Sequence, residues 1–337
     1  MLSRVWIALA VGWLSIAHAG AVDLNVEPIQ PLEALPVDKA RAALGRKLFF
    51  DTRLSVDNSI SCAHCHDIKD MGGADGLAHS FGVNGREGEA NSPTVFNAAL
   101  NLAQFWDGRA ASLEAQIDGP VTGHAEMANR WPAVVARLRA DAEYRRAFRR
   151  VFGGGITAAR IKRAIAEFER TLITTGARFD RYLLGDTNAI SAEAKRGYAL
   201  FKSYGCVACH QGRNVGGNLF QVLGVMGDYF ADHPSDRAID RGRFNVTGKA
   251  EDMHVFKVPS LRLAVLTAPY FHDGSQRTLA GAIRTMARYQ LGREIPERDL
   301  RAIIAFLYSL VGEYQGRSLE PKERIWLAPE NFGRRER

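Results

Sequence analysis

Apolar residues recur at intervals of three and four positions along much of the chain, which is the spacing that gives an α-helix one buried face. The pattern is strongest in three stretches: WPAVVARLRADAEYRRAF (131–148), TAARIKRAIAEFERTLI (157–173) and ERDLRAIIAFLYSLVGEY (297–314). Strict alternation of apolar and polar residues, which would predict strands, is sparse. The pattern therefore predicts a mostly α-helical protein.

Two separated segments share one layout, in which a short apolar helix is followed by a turn and a Cys-x-x-Cys-His motif. They are KLFFDTRLSVDNSISCAHCH (47–66) and KRGYALFKSYGCVACH (195–210). Between them, the stretch from Thr175 to Ser191 is rich in Gly, Thr and Asn and follows a long predicted helix. We therefore predict a domain boundary in this stretch.

The first nineteen residues, MLSRVWIALAVGWLSIAHA, have the layout of a cleavable secretory signal. One basic residue, Arg4, precedes an apolar run that ends at a site of small residues. The run from Val5 to Ala17 is shorter than the roughly 20 residues that a membrane span needs. We expect a signal peptide over 1–19, export to a bacterial periplasm, and no membrane span after the signal is removed.

The rest of the chain is expected to form two helical domains and a tail. The first domain covers 20–176 and the second covers 177–313. The tail, 314–337, is expected to pack back on the first domain. With 337 residues, of which 46% are hydrophobic and 24% charged, the chain is long and apolar enough for two buried cores.

The net charge of +7 raises the question of a nucleic-acid partner. The basic residues are spread over polar helix faces and are interleaved with acidic ones, rather than gathered in one patch. An exported protein also meets little nucleic acid. We therefore expect no nucleic-acid partner.

The two Cys-x-x-Cys-His motifs contain all four cysteines of the chain. Disulfides between cysteines three positions apart would close loops too short to stabilise much. A zinc site of four thiolates is disfavoured because about 140 residues separate the two pairs, far more than zinc sites usually have. The motif is the attachment signature of c-type haem, in which two thiols bond the haem and the histidine ligates the iron. The sequence predicts two covalent haems, held by these residues: Cys62, Cys65, His66, Cys206, Cys209 and His210.

The second axial ligand of each haem decides its chemistry. An iron that is open on one side can bind a substrate, whereas an iron that is closed by methionine transfers electrons at a raised potential. Met286 lies in the amphipathic segment TLAGAIRTMARYQLG and is a candidate ligand. A methionine at helical spacing is otherwise usually a core residue.

Nearly all of the chain after the signal resembles the bacterial dihaem cytochrome c peroxidase family. The resemblance is carried, in order, by LFFDTRLSVDNSISCAHCH, NSPTVFNAALNLAQFWDGRA, FKVPSLR, TAPYFHDGS and MARYQLG. It implies two cytochrome c-like helical domains, each with one haem. It also implies reduction of hydrogen peroxide to water with electrons from a small cytochrome c or cupredoxin, and a homodimer.

The resemblance assigns the haems different tasks. The first Cys-x-x-Cys-His motif matches the peroxidatic haem, and the second matches the electron-transferring haem. Met286, fourteen residues after His272 of PYFHDG, matches the sixth ligand of the second haem. Related dihaem maturation oxidases, which act on a protein substrate, have a tyrosine there, so Met286 favours a peroxidase over that alternative.

The resemblance also implies roles for residues outside the haem motifs. Trp106 matches a tryptophan between the two haems, and Gln116 and Glu126 match a polar pair over the open haem face. An uncoordinated carboxylate such as Glu126 can move a proton from one peroxide oxygen to the other. The polar pair disfavours the other alternative, a non-enzymatic electron carrier.

A calcium site between the domains is implied as well. Asn91 and the backbone carbonyls of Thr267 and Pro269 match its ligands. Hard oxygen ligands of this kind suit calcium.

The chain departs from the family pattern in one glycine-rich loop. Many members close the resting peroxidatic haem with a loop histidine, and the matching position here is Val83, which cannot ligate iron. His79 stands four residues earlier and is an alternative sixth ligand. We favour a haem that is open at rest, because a lone loop histidine is more often solvated. His124, close to Glu126, is a further candidate for the pocket.

Overall fold

The computed structural model describes residues 23–321, so the predicted signal at 1–19 and the tail from 322 onward lie outside the described range. Within that range the chain is mostly helical, as predicted. Its helices are α1 (Lys39–Phe49), α2 (Cys62–Cys65), α3 (Leu113–Gln116), α4 (Asp118–Thr122), α5 (Trp131–Ala140), α6 (Ala142–Phe152), α7 (Ala158–Glu169), α8 (Arg178–Leu183), α9 (Ala192–Ser203), α10 (Tyr229–Asp232), α11 (Phe244–Thr247), α12 (Leu279–Leu291) and α13 (Glu297–Ser309).

The strands of the described range are short and form two antiparallel pairs. In the first pair, β1 (Phe220–Val222) lies beside β2 (Val255–Lys257). In the second pair, β3 (Glu313–Tyr314) lies beside β4 (Arg317–Ser318). None of the helices between residues 23 and 321 has the length and apolar composition needed to cross a bilayer.

Each half of the chain contains one close crossing of two helices, and the two crossings have the same geometry. In the first half, α1 crosses α7 at Gly45, whose α-carbon lies against the backbone carbonyl of Ala164. In the second half, α9 crosses α13 at Gly197, which lies in the same way against Ala302. A methyl group at either glycine would overlap a carbonyl oxygen, so only glycine permits these approaches.

Aromatic side chains complete both crossings at equivalent positions. Phe49 and Phe168, each four residues after a crossing residue, pack edge to face with ring centroids 5.2 Å apart. Phe201 and Phe306 stand at the same offset in the second half, with centroids 5.1 Å apart. The shared spacing of glycine, alanine and phenylalanine supports the view that the halves repeat one helical unit.

Gly197→Ala is expected to lower the free energy of unfolding by about 1–3 kcal/mol, because the added methyl group overpacks a backbone contact. A decrease in the free energy of unfolding would identify the backbone contact as its cause, since alanine inside a helix is ordinarily about 1 kcal/mol more favourable than glycine. Chemical denaturation measures the change. Gly155→Ala is the control, because nothing lies within 4 Å of the added methyl group there. Unchanged or raised stability of Gly197→Ala would show that the helices separate without cost.

The beginning of the described chain lies on the second half of the protein. Glu27 accepts a hydrogen bond from the Tyr198 hydroxyl and pairs with Lys202 at 3.2 Å, both on α9. The Pro28 carbonyl accepts from the Gly212 amide at 2.8 Å. The predicted first domain, 20–176, therefore begins with a segment whose contacts are with the second.

The end of the described chain lies on the first half. The Glu313 amide donates to the Thr175 carbonyl at 2.7 Å, which ties β3 to the predicted domain boundary. The Tyr314 ring packs edge to face on Phe96, with centroids 5.3 Å apart. Each end of the described chain is thus fastened to the opposite half.

Candidate functional site

A cavity of about 730 Å³ lies between the two halves, at the first Cys-x-x-Cys-His motif. Cys62 and Cys65 on α2 and the adjacent His66 form part of its lining. The second half contributes Ile239 and Phe256, among others. The volume falls within the range of roughly 300–1,000 Å³ that is usual for ligand and cofactor sites.

The His66 ring is held in an orientation that suits a metal ligand. Its Nδ1 lies 3.2 Å from the carbonyl oxygen of Gly73, so Nδ1–H donates there and Nε2 keeps a free lone pair. Withdrawal from water lowers the pKa of His66, which keeps the ring neutral. Neutral imidazole is the form that binds iron, so the motif fits a covalent haem.

The second Cys-x-x-Cys-His motif also has features of a cofactor site. Nδ1 of His210 is buried and has no hydrogen-bond partner within the described residues. Burial lowers the pKa of His210 to about 4. Gly216 has a φ of 128°, and a side chain there would strike the Pro259 carbonyl and the His210 ring. The close backbone approach at Gly216 and the neutral His210 ring fit a haem attached at Cys206 and Cys209.

Trp106 connects the cavity to the second half of the protein. It lines the cavity, and its indole Nε1 donates to the Asn91 carbonyl at 2.9 Å. It also packs on a hydrophobic cluster that Met286 of α12 contacts as well. The structure therefore places Trp106 and Met286 against one cluster, whose buried members are Leu223, Tyr229, Phe256 and Tyr289.

Phe256 is a residue that the sequence analysis did not single out. It lines the cavity, belongs to the same cluster as Met286, and lies on β2. The neighbouring Lys257 amide donates to the Trp106 carbonyl at 2.8 Å, which fixes β2 beside the tryptophan. The FKVPSLR motif was the signal that could have identified this position.

Gln116 and Glu126 both line the cavity, as the family resemblance implies. Gln116 is the last residue of α3, and Glu126 lies in the turn after α4, where its carbonyl accepts from the Val83 amide at 2.9 Å. The Glu126 side chain is open to solvent through the cavity, but surrounding protein displaces part of its water. This desolvation raises its pKa, and the Arg109 guanidinium acts in the opposite direction.

Glu169 is a further carboxyl group of the cavity lining, which also includes Glu89 and Asp107, and the sequence analysis did not single it out. It is the last residue of α7 and is only 5% exposed. Burial, with a further contribution from Glu114, raises its pKa to about 8. A signal existed in the sequence, because Glu169 follows Ile165 by four residues and so occupies an apolar-face position of TAARIKRAIAEFERTLI.

Val83 and His79, in the glycine-rich loop where the chain departs from the family pattern, do not line the cavity. Val83 is fully buried in the core of the protein. His79 has both ring nitrogens engaged, with Nδ1 2.8 Å from Glu87 Oε1 and Nε2 3.1 Å from an Arg237 nitrogen. His124 does line the cavity, on the same side as Glu126.

The predicted calcium ligands come from both halves, in segments that touch. The Asn91 amide donates to the His272 carbonyl at 2.9 Å, which brings the Asn91 segment to the loop that carries Thr267 and Pro269. The Asn91 side chain donates to the Leu77 carbonyl at 2.9 Å. Between residues 23 and 321 no group of three or more acidic, histidine or cysteine side chains is arranged to hold a metal ion.

Comparison with known proteins gives consistent matches. The family model described as di-haem cytochrome c peroxidase matches residues 39–188. Cytochrome c551 peroxidase of Nitrosomonas europaea is 45% identical over 91% of this chain and 90% of that protein. Cytochrome c peroxidase Ccp of Escherichia coli K12 is 45% identical over 92% of this chain, which spans 66% of that longer protein. Methylamine utilization protein MauG of Methylorubrum extorquens is 37% identical over 85% of this chain and 82% of that protein.

Solved structures share the fold. A MauG-like protein associated with microbial copper homeostasis superposes with a TM-score of 0.73 at 28% identity, covering 90% of this chain and 96% of the other. The diheme peroxidase BthA from Burkholderia thailandensis, as its Y463M variant, gives 0.70 at 19% identity, covering 87% and 94%. With its two haem-attachment motifs and peroxidase relatives that match along most of their length, the chain belongs to the di-haem cytochrome c peroxidase family.

Proposed function

We propose that this protein reduces hydrogen peroxide to water in the periplasm, with electrons from a small soluble cytochrome c or cupredoxin. The observation that carries the proposal is the composition of one cavity. The first Cys-x-x-Cys-His motif, Gln116, Glu126 and Trp106 all line it. A haem-binding motif that faces an unpaired carboxyl and an amide is suited to breaking an O–O bond.

Two covalent haems supply the redox chemistry, one at Cys62 and Cys65 with His66 as iron ligand, and the other at Cys206 and Cys209 with His210 and Met286. Each domain, 20–176 and 177–313, carries one of them. The protein's own residues bind the peroxide, move its protons and connect the two sites.

Glu126 moves the proton that peroxide cleavage requires. Its carboxylate accepts a proton from the oxygen nearer the iron and returns it to the departing oxygen, which leaves as water. Its raised pKa suits both steps, because a group that must take and return a proton works best near the operating pH. The Gln116 amide, beside it in the cavity, orients the peroxide by hydrogen bonding.

Trp106 provides the connection for electrons between the two sites. It lines the cavity on one side and packs on the cluster of Met286 on the other. Met286 favours one-electron transfer at the second haem, because a thioether ligand raises the potential. A tyrosine there would have favoured a maturation oxidase.

Three further assignments complete the proposal. A calcium ion at Asn91, Thr267 and Pro269 holds the two halves together, since these residues lie on touching segments. The active protein is a homodimer. The donor binds at the second haem, through which electrons enter.

The peroxidatic haem is open at rest in this proposal, because His79 is held by Glu87 and Arg237 and Val83 is buried. Oxidised protein mixed with peroxide and reduced donor should therefore turn over without a lag, and oxidise two one-electron donors per peroxide. Its electron paramagnetic resonance spectrum should contain a high-spin ferric signal beside a low-spin one.

His79→Ala is the matched variant for this experiment and should change neither the lag nor the spectrum. Two low-spin signals, with a lag that prior reduction removes, would contradict the open haem. Absence of turnover under all conditions would contradict the peroxidase function itself.

A further inference from the structure

Glu169 is a buried carboxyl group without a hydrogen-bond or ion-pair partner in the part of the chain that the structure describes. Its side chain is only 5% exposed and faces the cavity. Among residues 23–321 no side chain or backbone group hydrogen-bonds to its carboxyl, and no basic side chain lies within 4 Å. Withdrawing a carboxyl group from water without a partner is unfavourable, whereas leucine at this apolar-face position would withdraw no polar atom. A carboxyl group at a helix position whose pattern calls for an apolar side chain points to a functional role.

A partly exposed ion pair also interacts with Glu169. Arg170, the next residue, pairs with Glu114 of α3 at 3.0 Å. Both partners are partly solvent-accessible, with about a third of each side chain exposed (33% and 29%). The charges of both reach Glu169 and affect its pKa in opposite directions. Glu169 therefore lines the cavity and also interacts electrostatically with a partly solvent-exposed ion pair.

Peroxide reduction consumes protons that Glu126 does not supply. The reaction H2O2 + 2 H⁺ + 2 e⁻ → 2 H2O takes up two protons and two electrons for each peroxide. Glu126 only shifts a proton from one oxygen to the other, so its net contribution is zero. Both protons must enter from solvent into a site between the two halves of the protein.

We infer that Glu169 is the residue through which these protons enter the cavity, from solvent on the side of the Arg170–Glu114 ion pair. In each transfer the O–H bond of the Glu169 carboxyl breaks, its proton forms an O–H bond with oxygen in the cavity, and the resulting carboxylate is reprotonated by solvent water from that side. The inference rests on the proposed peroxidatic role of the cavity.

The electrostatics of Glu169 support this role. Burial raises its pKa to about 8, so the group holds a proton near neutral pH and regains it readily after giving it up. The charged groups that affect its pKa are Arg170 and Glu114 of α3, and its own charge affects Cys62 of α2. The other charged or titratable residues of the cavity lining are Cys65, His66, Glu89, Asp107, Arg109, His124 and Glu126.

A purely structural role is the competing explanation, in which Glu169 hydrogen-bonds a propionate of the bound haem. The position beside Cys62 disfavours it, because the thiols bond the vinyl groups and the propionates lie at the opposite edge of the macrocycle. The two roles differ in what they predict for proton uptake.

Glu169→Gln keeps the size and neutrality of the protonated side chain but cannot exchange a proton. We expect kcat at saturating donor to fall on the order of 10²-fold, while KM for peroxide stays within about twofold. Stopped-flow measurement with a pH indicator should show proton uptake slowed by the same factor. The carbonyl stretch of a protonated carboxyl should disappear from the infrared difference spectrum. Glu114→Gln, a partly exposed position, should slow uptake less.

Glu167→Gln is the matched control. Glu167 lies on the same helix and is also buried, but it does not line the cavity, and its carboxylate accepts from the Asp38 amide at 2.6 Å and from Arg170 at 3.5 Å. This variant should keep the wild-type kcat and rate of proton uptake for each folded molecule.

Two outcomes would overturn the inference. Wild-type turnover and proton uptake in Glu169→Gln would exclude the route, and altered haem absorption with unchanged uptake would show the structural role instead. A wild-type protein that binds two haems but does not consume peroxide would refute the proposed function, which is a different result.

Discussion

Replacing Cys62 and Cys65 by serine is expected to remove one covalent haem and reduce peroxide turnover to background. Both thiols line the cavity with Glu126 and Gln116, so in the proposed function the haem bonded there is the one that meets peroxide. Without thioether bonds, haem is held only by His66 and van der Waals contacts and is lost during denaturing electrophoresis. Haem staining, intact mass and the peroxide-dependent oxidation of reduced cytochrome c measure the change.

The serine variant of Cys206 and Cys209 tests the assignment of the two sites. It should also lose one haem, but the remaining haem should still react with peroxide in a single turnover, because its cavity is intact. Steady-state turnover should fail, since electrons no longer enter. If this second variant lost the reaction with peroxide and the first variant kept it, the roles of the two halves would be reversed.

Glu126→Gln is expected to lower kcat/KM for peroxide by about 10²–10⁴-fold, the usual contribution of a general acid–base group. Both haems and the visible spectrum should remain, because the side chain faces the cavity and its carboxylate makes no hydrogen bond or ion pair within residues 23–321. The pH profile gives a second readout. The carboxylate must be ionised to take a proton, so wild-type kcat/KM should fall as pH drops below its pKa, which desolvation raises.

In Glu126→Gln this decrease of kcat/KM at low pH, the acid limb of the pH profile, should be absent. Glu193→Gln, an exposed glutamate in the first turn of α9, is the control and should keep both the rate and the acid limb. An acid limb that survives in Glu126→Gln would assign the proton transfer to another group, and His124 would be the next to test.

The sequence predicted the helical class and the haem attachment because both are local patterns. Helical periodicity and the Cys-x-x-Cys-His spacing are complete within a few residues. The structure brings Trp106, Gln116 and Glu126 to the cavity of the first motif, where the family resemblance implied them. Their meeting at one cavity is a tertiary property, which no spacing along the chain predicts.

Glu169 and Phe256 were missed for a related physical reason. A glutamate on a helix is usually solvated, and only the register of its neighbours shows that Glu169 lies on the buried face. Whether that face borders a core or a cavity depends on packing against α1 and α3. In the sequence, Phe256 has the properties of an ordinary core residue. Its functional position depends on the packing of β2 beside Trp106, which only the structure shows.

The reciprocal attachment of the two ends of the described range bears on the order in which the halves can fold. The first half is complete only when Glu313 reaches Thr175 and Tyr314 covers Phe96, and those residues are synthesised near the end. Domains otherwise tend to fold in the order of synthesis. Here the first half gains its last contacts only from residues 313 and 314, so its fold is completed after the second Cys-x-x-Cys-His motif has been synthesised.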